Sequence, residues 1–288
     1  MSTCHGGKGG CYNLGMKTRI IIPARLASTR LPEKLLRRVG GQTVLRWTHD
    51  AAVRCDLGPP IVAVDDDRLA EEVDRFGGRS VRTSVDCASG TDRIAEAVAS
   101  LRSAGETIAD EDVIVNLQGD EPEIDPGAVR RVAGLLIDHP AADMATAATP
   151  IRDAARLSDP NVVKLAMEFD GHAAAGGQAV CRAVYFSRSV VPHDRDGVVD
   201  LSADDQAFGG TVYWHHLGLY AYRVAFLRWF ARSRPSLIER VEKLEQLRAL
   251  SAGKTILVAA VDHATAGIDT ADDLSAFEQR CKRRQMGS

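Results

Sequence analysis

Three short polar segments contain the residue types that bind anions and metal ions. The first is Pro23-Ala24-Arg25-Leu26-Ala27-Ser28-Thr29-Arg30-Leu31-Pro32-Glu33-Lys34. Its small residues let backbone N–H groups approach an anion, and its two arginines and lysine balance phosphate charge. It lacks the glycines of a Walker A loop and of the dinucleotide fingerprint. Composition therefore leaves two readings, a phosphate loop or an ordinary polar loop. The second segment is Asn116-Leu117-Gln118-Gly119-Asp120-Glu121-Pro122. Asp120 beside a glycine is suited to hold Mg²⁺ between protein and phosphates, or to cap a helix or turn. The third is Gly267-Ile268-Asp269-Thr270. Asp269 is either a second metal ligand or the N-cap of a final helix whose first turn holds Asp272 and Asp273.

These segments need a scaffold, and the apolar pattern predicts one. Residues 19–23, 60–64 and 113–117 are short β-branched runs that read as buried parallel strands, with a shorter strand at 80–83. Helical spacing is predicted at 43–53, 68–76 and 90–104, and again where Val129, Val132, Leu135 and Leu136 share a face. Alternating strands and helices imply βαβ units, an α/β fold and a mainly parallel sheet. Ligands of such sheets sit beyond the carboxyl ends of the strands, where the first two polar segments fall. Strands are predicted at 144–149, 162–167, 184–186, 215–223 and 255–261, and helices at 238–252 and 272–284. Residues 171–179 and 195–210 read as loops.

The chain has 288 residues, of which 45% are apolar and 26% charged, as in an ordinary globular protein. Its net charge of −3 offers no excess of cations for a nucleic-acid polymer. The cations divide into 29 Arg and 7 Lys. Genome composition accounts for most of that bias, but arginine also binds planar anions with two parallel hydrogen bonds. Six cysteines at irregular spacing form neither a zinc motif nor a disulfide framework, so reduced thiols in the cytoplasm are expected. No apolar run is long enough to span a membrane. Residues 1–16 read as a disordered tail, and Cys4, His5 and Cys11 within it are only a weak metal-binding pattern.

Read together, the stretches IIPARLASTRLPEK, ASGTDRIAEA, VIVNLQGDEPEI, YFSRSVVPHDRD, HHLGLYAYR, ERVEKLEQLRAL and GIDTADDL closely resemble the 3-deoxy-manno-octulosonate (KDO) cytidylyltransferases. The matching stretches run from about residue 19 to residue 277 in the family's order. The resemblance implies a Rossmann-like nucleotidyltransferase fold. A mainly parallel mixed sheet flanked by helices would form a CTP-binding core from residues 17–150 with 253–288. Residues 151–252 would form a smaller acceptor-binding and dimerisation subdomain. It also implies transfer of CMP from CTP to an acidic acceptor, with Mg²⁺ as cofactor, in a homodimer.

By the same resemblance, Arg25 and Lys34 contact the CTP phosphates with Arg30 nearby, and backbone groups near Ala24 read the base. Ser89 and Gly90 belong to the cytosine pocket, and Gln118 lies between nucleotide and acceptor. Asp120 and Asp269 are the metal carboxylates. Arg188, His193, Arg195, His216, Tyr220, Glu245 and Gln246 occupy acceptor positions, although Tyr220 and Glu245 suit plain packing and surface pairing as well. Three departures stand out: Glu33 replaces a glycine, His193 replaces a tryptophan, and the 170–180 loop is long. They keep open an alternative acceptor, a small phosphonate such as phosphonoformate. A non-catalytic nucleotide-binding protein is the remaining alternative.

Overall fold

The computed structural model describes residues 15–173, 179–201, 210–265 and 267–286. Cys4, His5 and Cys11 lie outside them, as do residues 174–178 and 202–209 of the two expected loops.

The apolar runs become strands of one nine-stranded sheet, ordered β5-β4-β1-β6-β10-β7-β11-β9-β8. Its strands are β1 (Thr18–Ala24), β4 (Ile61–Val64), β5 (Arg79–Arg82), β6 (Val113–Asn116), β7 (Met144–Pro150), β8 (Lys164–Ala173), β9 (Ala179–Ser187), β10 (Trp214–Arg223) and β11 (Ile256–Ala260). A two-stranded ribbon, β2 (Arg38–Val39) with β3 (Gln42–Thr43), stands apart. Seven of the nine strands run one way, and β9 and β10 run against them. The mainly parallel mixed sheet is thus as expected. β10 lies in the interior between β6 and β7, so the segment 151–252 contributes a central strand to the same sheet.

Both faces are covered, which is why the strands lack polar alternation. One face packs α1 (Val44–Val53), α2 (Asp67–Arg75), α4 (Pro126–Asp138) and α9 (Ala271–Met286) around Ile20, Ile22, Val62 and Val115. The other packs α3 (Gly90–Ser103), α6 (Val224–Arg232) and α8 (Gln246–Ser251) around Ile21, Ala63 and Ile114. Adjacent residues of one strand thus enter opposite cores. The short α5 (Ala154–Ser158) and α7 (Leu237–Glu242) complete the chain. Among the described residues no helix is long and apolar enough to cross a membrane.

Two expectations need correction. Helix α6 was not expected, though Val224, Phe226, Leu227 and Phe230 bury one face of it. The single helix expected at 238–252 is broken. Lys243 takes left-handed angles (φ 56°, ψ 44°) and its N–H closes on Glu239 O, so α8 starts afresh at Gln246. Leu237 and Val241, on which a continuous apolar face would depend, are 69% and 75% exposed.

Arg248 ties these pieces together. Its Nε and Nη2 donate to the Glu239 carboxylate at 2.9 and 2.5 Å, and Nη1 donates to Phe230 O and Ser233 O at 3.2 and 3.3 Å. The guanidinium also stacks on the Phe230 ring, 3.9 Å from its centroid. Arg248→Met is expected to lower the unfolding free energy by about 3 kcal/mol, because it strands a buried carboxylate. Urea denaturation measures this, and a negligible loss would contradict the tether.

Candidate functional site

Beyond the carboxyl ends of β1 and β6 lies an open cleft of about 890 Å³. One of its walls carries Arg25, Arg30, Lys34, Ser89, Gly90, Gln118, Asp120 and Asp269, which the sequence reading groups together. Lys34 Nζ donates to Asp120 Oδ2 and, at 2.8 Å, to Asp269 Oδ1. Arg30 Nη2 lies 3.0 Å from Asp269 Oδ2. Arg25 lines the cleft without a carboxylate partner among the described residues.

Neither aspartate is spent on a cap. Asp125 caps α4 by accepting from Gly127 N and Ala128 N. Thr270 Oγ1 accepts from Asp273 N, while Asp273 Oδ2 accepts from Thr270 N and Asp269 N, a reciprocal closure of the start of α9. Asp269 is thereby aimed at Lys34. Two carboxylates that both reach one ammonium are near enough to share one divalent ion, and all-oxygen donors suit Mg²⁺. The donor set therefore suits a hard divalent cation.

Backbone constraints hold this arrangement. Gly119 is closely packed: a Cβ there would lie 3.1 Å from Pro23 O and 3.3 Å from Leu35, so a side chain would require its neighbours to yield by a few tenths of an ångström. Thr48 Oγ1 donates to Gly119 O at 2.9 Å, joining α1 to the turn that presents Asp120. Glu121 enters the same cleft. Burial, and then the charges of Asp120 and Asp269, push its carboxyl up to about 8. Ser89 has a second duty as N-cap of α3, accepting from Asp92 N. Ala24 itself is fully buried at the end of β1, and its neighbours Pro23 and Arg25 line the cleft instead.

The opposite wall comes from β10 and the break between α7 and α8. It brings in His216, Tyr220, Glu245 and Gln246 as expected, with Asn161, Val163 and Gly218. Glu245 is not a surface-paired helix residue. Its Oε1 accepts from Thr91 Oγ1 at 2.8 Å, and Tyr222 Oη lies 3.1 Å from the same hydroxyl. Burial raises its carboxyl above the ordinary range. Buried Glu245 Oε2, Gln246 Nε2 and Asn116 Oδ1 have no hydrogen-bond partner among the described residues. Unsatisfied buried polar atoms lining one cleft point to a polar ligand.

A bulge in β10 shapes this wall. The register with β7 shifts between Leu217 and Tyr220, and Thr146 Oγ1 reaches Leu217 O and Leu219 O across it. Gln118 Nε2 donates to Gly218 O at 3.0 Å, and a Cβ on Gly218 would come within 2.5 Å of that nitrogen. Thr146 Oγ1 also lies 3.1 Å from His216 Nε2, so this hydroxyl joins the buried ring to the carbonyls of the bulge. Thr146, Gly218 and Thr91 were not singled out from sequence; their partners lie 70 to 154 positions away, beyond any local pattern.

Three expected acceptor residues lie outside the cleft lining. Arg188 spends its guanidinium on Glu242 O (2.8 Å) and Pro160 O (3.0 Å), bracing the wall from behind. His193 and Arg195 are exposed. The Asp194 carboxylate between them accepts from Asp196 N, Gly197 N and Val199 N, which folds the loop on itself. Glu33, the anticipated negative charge beside the phosphates, turns instead to Arg68, whose Nη1 and Nη2 donate to it at 2.6 and 2.8 Å.

Burial pushes His216 down to about 3, and burial with the Arg156 and Lys164 charges pushes His215 down to about 4. Unfolded histidines titrate near 6.5, so the native state binds fewer protons than the unfolded one below that pH. The stability these neutral rings represent is complete above about pH 6.5 and is lost as pH falls toward the native values. NMR should show no titration of the His216 ring between about pH 5 and 8, and stability should fall on acidification with a smaller slope in His216→Gln. A ring midpoint near 6.5 would contradict the assignment.

A family model described as cytidylyltransferase matches residues 19–256. The chain is 52% identical over 266 residues to the 3-deoxy-manno-octulosonate cytidylyltransferase of Rhodopirellula baltica, covering 92% of this chain and 98% of that one. The enzyme of the same name from Idiomarina loihiensis is 41% identical, covering 90% and 96%. A solved structure of CMP:2-keto-3-deoxy-manno-octonic acid synthetase complexed with CTP superposes with a TM-score of 0.78 at 32% identity, covering 93% of this chain and 99% of that one.

Proposed function

The chain belongs to the cytidylyltransferase family, and on that premise we propose that it transfers CMP from CTP to 3-deoxy-D-manno-octulosonate, releasing pyrophosphate. The observation that carries this reading is the shape of one cleft. At one end Arg30 and Lys34 meet the carboxylates of Asp120 and Asp269, and Arg25 lines the cleft beside them. At the other, buried Glu245 Oε2 and Gln246 Nε2 lack hydrogen-bond partners among the described residues. A triphosphate fits the first end and a polyhydroxylated sugar acid the second. The names of the relatives support the sugar acid as acceptor.

The acceptor oxygen attacks the α-phosphorus in line, so its P–O bond forms as the bond to pyrophosphate breaks. Such transfer depends on positioning and charge stabilisation. Arg25, Arg30 and Lys34 draw in the triphosphate and balance its charge. Ser89 and Gly90, at the start of α3, face the base. Gln118, fixed by Gly218 O, separates nucleotide from acceptor. His216, Tyr220, Glu245 and Gln246 orient the sugar, and Arg188 keeps their wall in place. Asp120 and Asp269 would hold Mg²⁺, which when bound screens the triphosphate and stabilises charge on the leaving pyrophosphate.

The same reading makes residues 151–252 the acceptor-binding part of a cytoplasmic homodimer. The free thiols of Cys55, Cys87, Cys181 and Cys281 support the compartment, and exposed Phe169 and Val184 on β8 and β9 support a subunit interface there. The phosphonate alternative draws on His193, the arginine bias and the long 170–180 loop, with Glu33 as a further departure. Glu33 is held by Arg68, and His193 lies outside the cleft lining, so neither reshapes the acceptor end. Pyrophosphate release with CTP and Mg²⁺ is expected to show kcat/KM for KDO at least about tenfold above that for phosphonoformate, because buried polar groups discriminate strongly between ligands that pair them and ligands that do not. Equal or reversed values would overturn the choice of acceptor, and no release with either would overturn the reaction.

A further inference from the structure

The run Asp65-Asp66-Asp67-Arg68, which leaves β4 and forms the first residues of α2, lies beside the 25–34 loop and touches it twice. At the start of the loop, Leu26 N–H donates to Asp65 Oδ1 at 2.9 Å. The other oxygen, Oδ2, accepts from Arg93 Nη2 at 3.0 Å, with Asp65 and Arg93 only 9% and 4% exposed. Arg93 also donates to Thr83 Oγ1 and Ser84 O at 2.7 and 3.2 Å, and it lines the cleft on α3, the helix that begins at Gly90. One carboxylate therefore joins the phosphate loop to the segment that carries Ser89 and Gly90.

At the end of the loop, Glu33 holds left-handed angles (φ 52°, ψ 33°). A side chain with a Cβ is unfavourable there, and glycine is not. Its carboxylate receives both terminal nitrogens of Arg68 in parallel. An exposed ion pair ordinarily contributes little. This one is bidentate and fixes a strained residue, and Lys34 is the next residue along. The direction in which the chain leaves Glu33 sets where Lys34 starts toward Asp120 and Asp269. Arg68 is itself anchored, since its N–H donates to Asp66 Oδ1 at the start of α2.

We infer that the β4–α2 turn clamps the phosphate loop at both ends, with Asp65 and Arg68 as positioning residues for CTP; the inference rests on the reading of the loop as the CTP site. Neither side chain needs to touch the nucleotide. Asp65 acts through Leu26 N–H and Arg93, and Arg68 acts through Glu33 on Lys34.

The test uses the full chain and separates KM for CTP from KM for KDO, alongside melting temperature. Arg68→Ala is expected to raise KM for CTP roughly threefold, the scale of a lost exposed pair, with KM for KDO and melting temperature unchanged. Adding Glu33→Gly to Arg68→Ala should restore KM for CTP, because glycine adopts the left-handed angles unaided. Asp65→Asn keeps an acceptor for Leu26 N–H but loses the charge facing Arg93, and should raise KM for CTP about tenfold or more, as broken buried pairs do. An unchanged KM for CTP in Arg68→Ala, a parallel rise in both KM values, or failure of the double variant to recover would each overturn the clamp. If Asp65→Asn fails to fold, the Arg68 and Glu33 variants still decide. A wild-type chain that neither binds nor turns over CTP would remove the functional reading and the clamp together. Normal wild-type turnover with neutral variants would remove the clamp alone.

Discussion

Lys34, Asp120 and Asp269 come from three segments separated by as many as 235 positions, and they meet as two carboxylates around one ammonium. That meeting requires β1, β6 and β11 to end on one edge of the sheet, and the parallel pairings β1–β6 and β7–β11 bring this about. It also requires Asp120 and Asp269 to be released from capping, which Asp125 and Thr270 take over. Gly119 must pass close to Pro23 O. A clustered charge of this kind is expensive to desolvate without partners, and it sits in an open cleft rather than in the core.

The second wall depends on departures from regularity. β10 runs against its neighbours, so its N-terminal half reaches the same edge as the ends of β1 and β6. The bulge at Gly218 swings the strand toward Gln118, and Thr146 closes the bulge from behind. The left-handed turn at Lys243 stops α7 and presents Glu245 and Gln246 to the cleft. Arg248 and Arg188 then brace that turn through Glu239, Glu242 and backbone carbonyls. The second wall is thus shaped by breaks in helix and strand, each held by a long-range hydrogen bond.

These breaks mark where sequence reasoning reached its limit. The strands around Ile21, Val62 and Val115 were legible because a doubly covered parallel sheet leaves continuous β-branched runs. Lys34, Asp120 and Asp269 were legible as residue types beyond strand ends, and the family resemblance assigned them to one site. Helix α6 carries its apolar face on Val224, Phe226, Leu227 and Phe230, directly after β10 and with no capping residue to mark its start. The break at Lys243 had no local signal, because neither glycine nor proline marks it. Arg188, His193 and Arg195 sit in a matching block, yet carbonyl acceptors and an aspartate-centred turn decide where they point. The roles of Thr91, Thr146 and Gly218 exist only across the fold, between residues far apart in the chain.

The account stands or falls on Asp120 and Asp269 acting together as the metal carboxylates of a CTP complex. Electron paramagnetic resonance of Mn²⁺ titrated into the protein with CTP present tests this directly. Wild type is expected to bind Mn²⁺ at one protein-dependent site, and Asp120→Asn and Asp269→Asn should each weaken that binding at least about tenfold, as loss of a ligand or its support commonly does, while both variants remain folded. Unchanged Mn²⁺ affinity in either variant would contradict the central claim.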